Sequence, residues 1–113
     1  MTHISYEVAK KLKAFLGDSA PEPMVHEYWV WWSTNPSITD DYTFAKEHDG
    51  IPAYQLHDLL SKPFCEAFTK EYHKTKDIGG TLPHALAQVI YTNYYEHGME
   101  AVEKGLMRMM EAK

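Results

Sequence analysis

Apolar and polar positions along the chain mark out an aromatic, acidic stretch set between helical ones. Near the start, Ile4, Val8, Leu12, Phe15 and Leu16 recur at the spacing that lines one face of a helix. Ser5 suits the N-cap, with Ile4 just outside it as a hydrophobic staple. Glu7 falls in the first turn, where the helix dipole favours an anion, and Lys10, Lys11 and Lys13 fall toward the C-terminal half. Gly17 supplies the stop, and Asp18 to Pro23, with its two prolines, reads as a connection. Val25 to Trp32 is rich in β-branched and aromatic residues and predicts a strand. Its side chains divide by parity: Tyr28, Val30 and Trp32 point one way, Trp29 and Trp31 the other. Asn35-Pro36 ends this run. Tyr42 to Lys46 reads as a second, shorter strand paired with the first, and Asp49-Gly50 as a turn before a short extended piece at Ile51 to Ala53.

The second half reads as helical. Leu56, Leu59 and Leu60 fit a short helix ending near Ser61. Pro63 suits the first turn of another, in which Phe64, Phe68 and Tyr72 follow at intervals of four, although the same residues would also share one face of a strand. Gly79-Gly80 breaks the chain, and Thr81 is a cap for a helix with Pro83 in its first turn. Leu82, Leu86, Val89, Ile90 and Tyr94 form its apolar stripe, beside a more polar stripe of His84, Gln88, Tyr91 and Tyr95. Gly98 stops it. A last helix runs from Met99 to about Ala112, with Val102, Leu106, Met109 and Met110 on one face. Gly105 weakens that helix by about 1 kcal/mol relative to alanine. Met107 falls off the stripe and is a candidate oligomer contact. The pattern predicts one α+β domain over residues 1–113: a two- to three-stranded antiparallel sheet packed with three to five helices.

Composition narrows the function classes. A net charge of −5 argues against a basic nucleic-acid grip, so no direct nucleic-acid partner is expected. Between Gly17 and Leu60 eight acidic residues face one basic residue, Lys46, so the acidity is concentrated in the sheet region and suits a basic partner. The single cysteine, Cys65, excludes an intrachain disulfide and a multi-cysteine zinc site. No apolar run approaches the roughly 20 residues of a membrane span, and no secretory signal is visible, so a cytoplasmic protein without a membrane partner is expected.

The chemistry-bearing residues give few patterns. Seven histidines include His48-Asp49 and His57-Asp58, but no His-Glu-x-x-His pattern is present. Imidazoles can still converge from distant segments, so His57, Asp58 and His84 are the candidate metal set of an alternative reading, a small metal-dependent hydrolase using dispersed His and Asp/Glu. Cys65 lies near Phe64 and Phe68, which suggests a buried, inert thiol. No Gly-x-Ser-x-Gly, Gly-x-Gly-x-x-Gly or phosphate loop occurs, and no catalytic residue or cofactor is assigned. The aromatic residues are the most distinctive feature. Trp29, Trp31, Tyr91 and Tyr95, with Met107, are the candidate interaction residues, against the readings that they fill the core rim or line a small-ligand site.

The succession of Val8-Ala9-Lys10-Lys11-Leu12-Lys13, the strand Tyr28-Trp29-Val30, Ile51-Pro52-Ala53-Tyr54-Gln55-Leu56-His57-Asp58-Leu59-Leu60 and Thr81-Leu82-Pro83-His84-Ala85-Leu86-Ala87 resembles small uncharacterised proteins of phages and mobile elements in gut bacteria. Pro63 to Asp77 departs from that pattern. The resemblance implies a phage or prophage accessory context and no activity. The functional expectation is a non-enzymatic accessory or protein-interaction protein that self-associates as a homo-oligomer or binds another protein.

Overall fold

A computed structural model describes residues 3–75 and 83–111 of the chain. Ser5 has an extended backbone and its hydroxyl accepts the Val8 amide at 3.4 Å, so helix α1 (Tyr6–Leu16) starts at the expected cap. Gly17, at φ 58°, ends it by donating its N–H to the Lys13 carbonyl, a conformation that glycine adopts without a Cβ clash. Strand β1 (Tyr28–Trp32) follows a proline-containing connection and turns directly into β2 (Asn35–Thr39). β3 (Ile51–Pro52) pairs on the other side, giving an antiparallel sheet in the order β2-β1-β3. Helices α2 (Tyr42–Glu47), α3 (Leu56–Leu59), α4 (Lys62–Thr75), α5 (Pro83–His97) and α6 (Met99–Glu111), with a single 3-10 turn at Gly17–Ser19, complete the described elements. The fold is α+β, a three-stranded antiparallel sheet with helices.

Three expectations about the first half are corrected. The run expected as a strand at Tyr42 to Lys46 is helix α2. Asp41 is its N-cap, with Oδ1 accepting the Phe44 amide at 3.0 Å, and the cap overrides the apparent two-residue alternation of Tyr42 and Phe44. That adds a helix and brings the described total to six rather than three to five. Asn35-Pro36 does not end the sheet but begins β2. Ser33 takes a φ of 62°, which lets the chain reverse in two residues so that Trp32 pairs Asn35 and Tyr28 pairs Thr39. Val25, His26 and Glu27 stay outside β1, because the chain there is still held in the connection, with the Glu27 amide on the Val25 carbonyl at 2.7 Å.

The helical reading of residues 64–72 and the stop at Gly98 are borne out. Phe64 and Phe68 are buried on α4, so the helical alternative prevails at this spacing. Gly98, at φ 83°, separates α5 from α6 and donates to the Tyr94 carbonyl at 2.8 Å. The expected cap Thr81 and the stripe residue Leu82 lie outside the described residues.

The main core joins α1, α3, α4, α5 and α6 through Leu12, Leu59, Phe68, Ile90 and Leu106, among others. Each fully buried leucine or phenylalanine contributes about 1.5–3 kcal/mol of apolar transfer. A smaller cluster, Tyr28, Val30 and Ala45 with Phe44 against it, sits between β1 and α2. β1 thus carries Tyr28 and Val30 into the small cluster while Trp29 packs against the main core. α5 contacts both α4 and α6, and α6 returns to α1. There the carboxylate of Glu103, nearly buried, accepts the Ser5 hydroxyl at 2.7 Å beside the N-terminus of α1.

Candidate functional site

The tryptophans separate along β1 rather than across it. Trp29 is half-buried against the main core, and its indole N–H donates to the Ile4 carbonyl at 3.0 Å. That placement leaves Trp29 only partly exposed. Trp31 and Trp32, two and three residues further along and on opposite faces, are 56% and 55% exposed. Both faces of the strand are therefore covered at its Tyr28 end and open at its Trp32 end.

The tyrosine stripe of α5 is where helical spacing predicts it. Leu86 and Ile90 are buried, and Tyr91 and Tyr95 lie on the opposite side, 54% and 79% exposed, with their rings stacked 6.3 Å apart. The stripe expected to be apolar is narrower than its sequence. Val89 and Tyr94 lie off the buried line and are also exposed. Helix α5 therefore shows apolar and aromatic side chains around much of its circumference. Met107 is half-buried and packs against the main core, beside a groove bordered by Val8, Glu103 and Arg108.

The candidate metal residues are placed apart in role. Asp58 is buried, and its carboxylate is already engaged: Oδ1 accepts the Met24 amide at 2.7 Å and Oδ2 the Gln55 amide at 2.8 Å. His57 is exposed, with Nε2 3.9 Å from Asp58 Oδ1. His84 is exposed at the start of α5, on a cleft of about 490 Å³ with Leu60, Lys62, Cys65, Glu66, Pro83 and Ala87. Among the described residues no group of three or more His, Cys, Asp or Glu side chains is arranged to hold a metal ion. Cys65 is buried in the wall of that cleft and donates to the Leu59 carbonyl at 3.3 Å. Burial pushes its thiol from 9.0 up to about 11, so the nucleophilic thiolate is disfavoured at neutral pH.

One titratable cluster escaped the sequence reading. Tyr28 donates its hydroxyl to Glu22 Oε2, His26 Nδ1 lies 3.1 Å from the same hydroxyl, and Lys46 Nζ reaches Glu22 Oε1 at 3.2 Å. Lys46 also lies over the rings of Tyr42 and Tyr28, at 5.0 and 5.7 Å. The Tyr28 bond, ahead of Lys46, holds the Glu22 carboxyl below its usual range, while burial and then Glu22 push the Tyr28 phenol up. Both groups are thus fixed in their ordinary neutral-pH forms, a carboxylate and a phenol, and neither is poised to exchange a proton. The cluster clasps the connection before β1 onto β1 and α2. Nearby, Tyr54 donates its hydroxyl to the Pro21 carbonyl at 2.6 Å.

These shifts set a pH profile. Glu22, depressed in the folded chain, contributes stability above its ordinary value near 4.5 that is lost as pH falls through its folded value. Half-exposure of the pair keeps this contribution small. Tyr28, Tyr54 and Cys65 are raised, so their contribution is present below their unfolded values and is lost as pH rises, past 9.0 for Cys65 and past 10.0 for the two tyrosines. Urea midpoints should be flat over about pH 5–8 and decline on both sides. Glu22→Gln should flatten the acid limb, and Cys65→Ala should reduce the slope above pH 9.0, whatever its effect on the absolute level.

No protein-family model, curated protein or solved structure matches this chain. Among the described residues, no helix is long and apolar enough to cross a membrane.

Proposed function

We propose that this protein is a non-enzymatic interaction module that associates with a second copy of itself through the outer face of α5. The observation that carries the reading is the exposed stack of Tyr91 and Tyr95, flanked by exposed Val89 and Tyr94. Tyrosine anchors protein interfaces because it brings a large rigid ring with few rotatable bonds. Charge favours a second copy as the occupant. The chain carries −5, so two copies repel wherever their acidic surfaces meet, yet from Pro83 through Tyr95 the sequence has no Asp, Glu, Lys or Arg. An isologous contact, with the same patch on both copies, can form there without opposing like charges. The reading includes the phage or prophage accessory setting implied by the resemblance, and it assigns Trp29 and Met107 to packing.

Sedimentation velocity across a concentration series tests it. The wild type is expected to move from monomer to dimer, and Tyr91→Glu with Tyr95→Glu to weaken dimerisation by more than about tenfold while leaving the circular dichroism unchanged. A wild type that stays monomeric throughout the series, or a charged variant that dimerises as well as the wild type, overturns the proposal.

A further inference from the structure

The end of β1 holds two indoles that the fold braces without covering. Trp31 leans on Tyr6, with ring centroids 5.7 Å apart, and Trp32 meets Phe44 and His48 edge-on, each at 5.3 Å. β3 lies beside only Tyr28 and Trp29, so from Val30 onward that side of β1 has no neighbouring strand among the described residues. The register fixes which backbone groups face it. Pro52 has no N–H, so the pair that exchanges hydrogen bonds is Trp29 with Ile51, not Tyr28 with Pro52. Trp29 and, two residues on, Trp31 therefore turn their N–H and C=O toward the β3 side. The outer margin of β2 is different. Pro36, opposite Trp31, occupies an outward-facing position there and removes a donor, which blunts that edge against pairing.

Charge decides the chemistry of an occupant. Tyr6, beside Trp31, is followed by Glu7, and His48, beside Trp32, lies between Glu47 and Asp49. All three carboxylates are exposed. The one cation between Gly17 and Leu60, Lys46, is held by Glu22 at 3.2 Å. Each open indole thus rests on a ring whose neighbour in the chain is an exposed carboxylate; residues 17–60 bring no lysine or arginine besides Lys46, and the cation nearest along α1 is Lys10, one turn past Tyr6.

We propose that this end of β1 docks an extended, Lys/Arg-rich segment of another protein, added as a strand in line with β3. Consecutive side chains of such a strand fall on opposite faces, as Trp31 and Trp32 do. Two adjacent basic residues then lay one cation on each indole, with carboxylates flanking both. The site uses residues other than those of the α5 face and stands without self-association.

The probe is a capped octapeptide with a central Arg-Arg pair between Thr and Val residues, titrated calorimetrically at low salt, with a Glu-Glu peptide as control. Saturable binding of the Arg-Arg peptide alone is expected. Trp31→Ser and Trp32→Ser should each weaken it about tenfold, with circular dichroism confirming that the fold is kept. Glu47→Gln with Asp49→Asn should weaken it several-fold and flatten its salt dependence. Absence of saturable binding overturns the proposal. So does equal affinity for the doubly tryptophan-substituted protein, which would mean diffuse attraction to an acidic surface, or equal binding of the Glu-Glu peptide.

Discussion

Asp58→Ala is expected to lower stability by about 3–5 kcal/mol, because the carboxylate closes two chain segments at once. Its two oxygens accept the amides of Met24 and Gln55, the first from the connection before β1 and the second from the start of α3. A hydrogen bond to a charged group contributes about 1.5–3 kcal/mol, and the residue is only 3% exposed, so water cannot readily replace either bond. Urea denaturation gives the number. Asp58→Asn keeps one acceptor and should fall between the two, which preserves the measurement if the alanine variant does not fold. His57→Ala and His84→Ala, both at exposed positions, should stay within about 0.5 kcal/mol. This contrast also tests the hydrolase alternative: a working set of His57, Asp58 and His84 would make the wild-type midpoint rise with added zinc, and no rise is expected.

Phe68→Ala should cost a similar 3–5 kcal/mol for a different reason. Phe68 has no exposed surface, and its ring packs 5.0 Å from Phe15 of α1 and 5.9 Å from Phe64. Truncation loses the transfer free energy of the ring and leaves a hole between α1 and α4 that their backbones cannot fully close. The loss appears as a lower urea midpoint with an unchanged slope. Phe68→Leu should recover more than half of it. Trp31→Ala is the matched control, since a ring already half in water leaves no sealed cavity.

Local signals carried most of the helical fold. Ser5, Gly17 and Gly98 act on their own turns, and their roles need no tertiary partner. The region around β1 was harder because its signals conflict. Tyr42 and Phe44 alternate like a strand, while Asp41 just before them caps a helix. Ser33-Thr34 makes a tight hairpin without the glycine or asparagine that usually announces one. Among the candidate interaction residues, the outward position of Tyr91 and Tyr95 follows from helical spacing alone. The difference between Trp29 and Trp31 does not: they share a face, and it depends on where that face is covered. The Glu22, Tyr28 and Lys46 clasp joins side chains from a connection, a strand and a helix, and no local pattern announces it.

The seam between α1 and α6 has a consequence for synthesis. Ser5 and Glu103 are separated by 98 positions, and the ion-paired Lys11 and Glu111 by 100. At translation rates of about 5–20 residues per second, α1 waits some 5–20 s for the helix that seats it. During that interval a growing chain carries Leu12 and Leu16 on a helix whose final neighbour does not yet exist. Productive closure comes late and over a long loop, so a pause or truncation before Val102 leaves a nascent chain with an open apolar seam, the kind of surface chaperones bind.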